Sequence, residues 1–139
     1  MSEQSKKVAV FACSGIGKPL GSVAREIGYE LTERVRPDNT VLTCLALLVV
    51  NDPEALKLIK ENPVIAVDGC VLACARKCIE SHGAPVVRAY QAMDFFKKHN
   101  DLKPEGITEL NEAGKKLAAI AADELAGVVD EFVCGGGEK

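Results

Sequence analysis

Tryptophan is absent and aromatic residues make up only 4% of the chain, so neither a base-stacking surface nor an aromatic cage is indicated. A strong charge of either sign is missing as well. The net charge of −3 gives no electrostatic reason to bind nucleic acid or an anionic membrane. The basic pairs Lys6-Lys7, Arg76-Lys77, Lys97-Lys98 and Lys115-Lys116 are too dispersed to form a phosphate-binding stripe. No apolar run approaches the ~18 residues of a membrane helix, and Met1 to Lys7 lacks the apolar core of a signal peptide. These absences lead us to expect a soluble cytoplasmic protein with neither nucleic acid nor membrane as partner. Homo-oligomerisation stays open, and no other partner can be read from the sequence.

Histidine is scarce too. His82 and His99 fit no His-Cys metal spacing, and no Ser-His-Asp motif is present. Cysteine is what the chain does have, six in 139 residues. In a reducing compartment these read as metal ligands, redox groups or small core residues rather than as a disulfide framework. The length fits one domain spanning 1–139, with a flexible end from about Cys134.

Short apolar runs alternate with helical patterns, which predicts an α/β domain with a mostly parallel sheet of about four strands flanked by helices. The expected strands are Val8 to Ala12, Thr40 to Cys44, Pro63 to Val67 and Val86 to Ala89. Helical spacing of Val23, Ala24, Ile27, Leu31 and Val35 predicts a helix from about Gly21 to Val35. Asp52-Pro53 reads as the cap and first turn of a helix through Glu61. Further helices are expected over Val71 to Ser81, Tyr90 to His99 and from about Thr108 onward. Leu45 to Val50 is apolar throughout, and is expected to be buried without a type being assigned.

Three cysteines sit where expected strands end: Cys13, Cys44 and Cys70. Parallel strands place their carboxyl ends on one edge of the sheet, the edge where open α/β sheets bind ligands. Cys74 follows Cys70 by four residues, a spacing that keeps both on one face of a helix. With Zn–S bonds of ~2.3 Å, an ion accepts only near neighbours. Cys13, Cys44, Cys70 and Cys74 therefore form the candidate set, while Cys78 lies one turn too deep and keeps a core role. Four thiolates exceed the charge of zinc, so donors from helix N-termini, Lys18 and Arg76 are expected to offset the excess. The Ser14 to Gly17 turn adds backbone freedom at that edge. Asp68 is expected to cap backbone amides, with a general-base or outer-sphere role as the other reading.

Ile65-Ala-Val-Asp68-Gly69-Cys70-Val-Leu-Ala-Cys74-Ala-Arg-Lys resembles the signature of the DGC-domain proteins, a group named for the central tripeptide and described as zinc-binding. Cys13-Ser14-Gly15 and Thr43-Cys44-Leu45-Ala46 resemble the other cysteine segments of that family, over about Val8 to Phe96. The resemblance implies four chelating cysteines, mapping onto Cys13, Cys44, Cys70 and Cys74, and a metal site to which no reaction is attached. Relatives carry a glycine-containing segment after the second cysteine, where Leu45 to Val50 is apolar here. Neither Cys78 nor Cys134 has a counterpart with a role.

Three other chemistries bear on these residues. Sulfur transfer or disulfide exchange would use Cys13 as a low-pKa nucleophile, with Cys134 as a mobile resolving thiol. An iron–sulfur cluster could occupy the same four thiolates. A phosphatase loop over Cys13 to Pro19 lacks the arginine that clamps phosphoryl oxygens, and the segment also lacks the Gly-Lys-Ser/Thr order of a nucleotide loop.

Overall fold

The computed structural model describes residues 7–13, 19–43, 45–69, 73–106 and 109–135. Four strands, β1 (Val8–Cys13), β2 (Thr40–Leu42), β3 (Val64–Asp68) and β4 (Arg88–Gln91), form one sheet in the order β2-β1-β3-β4, every pair parallel. The expected α/β architecture is what the chain adopts. Central strands covered on both faces need apolar residues at every position, and all five residues of β3 are buried.

Alternation along the strands divides the core. Val8, Val10, Ile65 and Val67 face one cluster, and Ala9, Phe11, Val64 and Ala66 the other. The first cluster is closed by α1 (Pro19–Tyr29), α5 (Ala92–Lys98) and α6 (Glu112–Asp130), through Val23, Ile27, Phe95, Leu117 and Leu125. The second is closed by α2 (Leu45–Val49), α3 (Pro53–Glu61) and α4 (Cys74–Ser81), through Leu48, Ile59, Ala75 and Ile79. Phe11 is fully enclosed; burying a side chain of that size contributes ~1.5–3 kcal/mol.

Several boundaries differ from the expectation for local reasons. The first helix does reach Val35, but Glu30–Val35 is a π-helical turn, closed by the Arg36 N–H donating to the Leu31 carbonyl at 2.9 Å. The Arg36 guanidinium then donates to both Asp130 carboxylate oxygens at 2.8 Å, tying this turn to α6. α6 starts at Glu112 rather than near Thr108, because the Asn111 side chain caps it by accepting from the Gly114 N–H at 2.9 Å. β4 lies two residues later than expected, in a register that pairs Ile65 with Arg88 and Asp68 with Gln91.

The run from Leu45 to Val50 is not buried as a block. It forms α2, where only Leu48 is enclosed and Val49 and Val50 are 66% and 70% exposed. One helical turn presents side chains in every direction, so an apolar run this short cannot be covered from one side. A Schellman turn ends α2. The Asn51 and Asp52 N–H groups donate to Leu48 and Leu47 carbonyls, with Asn51 left-handed at φ 61°.

Candidate metal centre

The carboxyl edge of the sheet collects the ends of β2, β1 and β3. Cys13 ends β1 and pairs with Asp68 of β3. On the other side of β1, the Thr43 N–H donates to the Val10 carbonyl at 3.1 Å, so the end of β2 lies against β1 one residue before Cys44. Adjacent strands run ~4.8 Å apart, which sets three strand ends side by side with β1 in the middle. Cys44, Cys70, Ser14 and Lys18 lie outside the described residues, and Cys13 is described through its backbone alone.

Asp68 is 1% exposed at the end of β3. Its carboxylate accepts from the Ala75 N–H at 2.7 Å and the Arg76 N–H at 3.2 Å, so it caps α4 from seven residues upstream of the first contact. Burial pushes its carboxyl above the usual range, and the two amides pull the other way. The capping role expected from sequence is the one observed. The Ala75 and Arg76 amides at the start of α4 are thus engaged by Asp68. The Arg76 guanidinium lies exposed, 3.3 Å from Glu80.

Gly69 has a steric role that sequence reading missed. A β-carbon there would fall 2.5 Å from the Gly21 Cα and 2.8 Å from its nitrogen, so only glycine lets the turn after β3 press against the first residues of α1. This contact holds the end of β3 against the first turn of α1. A glycine directly after a strand-ending aspartate was the available signal; its partner Gly21 could not be identified without the fold.

Ala73 stands at φ 53° and ψ 51°, the left-handed region that costs a non-glycine residue ~1–2 kcal/mol. The described helix therefore begins at Cys74. Cys74 and Cys78 share α4, while Cys70, expected on one helix face with Cys74, lies outside the described residues. Cys74 is exposed in the first turn, whereas Cys78 is half-buried against the second core cluster, as its core reading required. Burial, and then the neighbouring Cys74, push the Cys78 thiol up. His82 closes α4, with Nδ1 2.9 Å from the Cys78 carbonyl and Nε2 3.1 Å from Asn51 Oδ1, so it joins the ends of α4 and α2. His99 ends α5, 3.7 Å from Glu124.

The DGC domain profile matches residues 9–118, a span that holds all three strand-end cysteine segments, Asp68-Gly69-Cys70 and Cys74. The chain belongs to the DGC-domain family. No curated protein and no solved structure matches it.

Within the DGC match lie β1 through the first third of α6, and Cys78 with them; Cys134 falls beyond it. There the backbone continues as a π turn, Glu131–Gly135, with Phe132 and Val133 packed on the first cluster. No helix among the described residues is long and apolar enough to cross a membrane. Among those residues, no group of three or more His, Cys, Asp or Glu side chains could hold a metal ion. Of the four expected ligands Cys13, Cys44, Cys70 and Cys74, Cys74 alone has a described side chain. At this edge Gly69 packs on Gly21, and the buried Asp68 carboxylate is engaged with backbone amides.

Proposed function

We propose that this DGC-domain protein binds one zinc ion per chain through Cys13, Cys44, Cys70 and Cys74. The observation that supports it best is the juxtaposition of the ends of β2, β1 and β3, tightened by the contact between Gly69 and Gly21. The Asp68 cap fixes the first turn of α4, and with it Cys74, against the same edge. Zinc would supply a tetrahedral anchor tying four segments that are far apart in sequence, or a Lewis acid if one position opens to solvent.

Two functions share this ligand set. An iron–sulfur cluster would use the same thiolates, and a sulfur-transfer or redox protein would use Cys13 as nucleophile. The latter would take Cys134, beyond the DGC match, as its resolving thiol. Anaerobic purification followed by elemental analysis and an absorption spectrum tests the proposal. One zinc per chain in a colourless protein is expected; visible absorbance with iron, or protein without metal, would refute it.

A further inference from the structure

On the face of the sheet filled by the second core cluster, α2 lies between two other helices. It packs against α4 and against α3, which scarcely touch each other. Its end is tied to both: Asn51 Oδ1 lies 3.1 Å from His82 Nε2 at the end of α4, and Asp52, the next residue, caps α3. A short helix held this way cannot roll its apolar residues inward.

Those residues lie open to solvent. Leu47, Val49 and Val50 are 39%, 66% and 70% exposed, and Tyr29 is the one other large apolar side chain exposed among the described residues. Neighbouring apolar side chains left in water on a soluble chain mark a surface that a partner covers. A lipid surface fits poorly, because Asp52 and Glu54 flank the strip and the net charge is −3.

The two flanks of the strip carry opposite charge. On the α3 side a cleft of about 380 Å³ is walled by Val41, Leu47 and Leu58 and carries Asp52 and Glu54. Asp52 gives one oxygen to the Ala55 N–H at 3.0 Å, and no ion pair engages Glu54 among the described residues. On the α4 side Lys77 is exposed, and among those residues it too has no ion pair, whereas Arg76 beside it is 3.3 Å from Glu80. A surface that is apolar along its middle, acidic on one side and basic on the other is complementary to itself. A two-fold axis along the strip sets each basic flank on the opposite acidic one.

We propose that the α2 face binds a second copy of this chain. Val49 and Val50 of the two copies pack together across the axis. Lys77 of each copy enters the cleft of the other, with its alkyl stem along Leu47 and Leu58 and its ammonium group meeting Glu54 and Asp52.

Sedimentation equilibrium of the purified full chain over a concentration series tests this, and a dimer is expected. Val50→Asp should weaken association at least ~10-fold, because it buries a carboxylate without a partner. Glu54→Lys and Lys77→Glu should each weaken it at least ~3-fold. Both changes in one chain should restore it to within ~3-fold of the parent, since each pair re-forms with its signs exchanged. All three positions are exposed, so circular dichroism should show the parent's helix content in every variant. Protein that stays monomeric up to ~1 mM would overturn the proposal, as would a dimer indifferent to Val50→Asp or a double exchange no tighter than the single ones. Zinc content measured on the same samples keeps these outcomes separate from the fate of the cysteine centre.

Discussion

Gly69 lies so close to Gly21 that a β-carbon on Gly69 would fall 2.5 Å from the Gly21 Cα. The obstacle is backbone, which cannot rotate away as a side chain would. Gly69→Ala should therefore destabilise the protein by ~1–3 kcal/mol, towards the upper end. Urea denaturation measures this, and zinc affinity should fall with it, because the turn leading to Cys70 must move.

Asp68 satisfies two amides at a buried helix end. Asp68→Ala leaves both without a partner and should cost ~2–4 kcal/mol. Asp68→Asn keeps one acceptor oxygen and should cost about half of that. Equal losses in the two variants would show that the carboxylate acts through charge rather than through its hydrogen bonds.

Cys74 and Cys78 share α4 but differ in surroundings, exposed against half-buried. The thiolate is the reactive form, and burial together with Cys74 raises the Cys78 pKa. In metal-free protein at neutral pH, iodoacetamide should modify Cys74 several-fold faster than Cys78, as read by peptide mass spectrometry. Zinc should protect Cys74 and leave the slow Cys78 rate unchanged.

Arg36 donates to both oxygens of Asp130, and this hydrogen bonding holds the Asp130 carboxyl below its ordinary value. A folded-state pKa below the unfolded one gives stability that is present above about pH 3.9 and lost as pH falls through the depressed value. Asp130→Asn should thus lower stability at neutral pH and flatten its acid dependence below about pH 4. Both partners are partly exposed, so ~0.5 M salt should shrink the difference.

The strands were legible because buried parallel strands are apolar at every position, as in Val8 to Ala12 and Val64 to Val67. The α3 boundary was legible because Asp52 and Pro53 both mark a helix start. Ala73 was not: nothing in alanine announces a left-handed backbone, which the surrounding fold imposes. The length of α2 was hidden for another reason, since periodicity cannot separate a strand from a single helical turn in six apolar residues. For the site, strand ends identified the carboxyl edge, while the contact between Gly69 and Gly21 joins residues 48 positions apart and emerges only once α1 packs on the sheet.

The most direct measurement is the zinc content of anaerobically purified protein across single serine substitutions. One zinc per chain is expected in the parent, in Cys78→Ser and in Cys134→Ser. Loss of tight binding is expected for Cys13→Ser, Cys44→Ser, Cys70→Ser and Cys74→Ser. Full zinc retention by Cys70→Ser, or a parent protein without metal, would contradict the account.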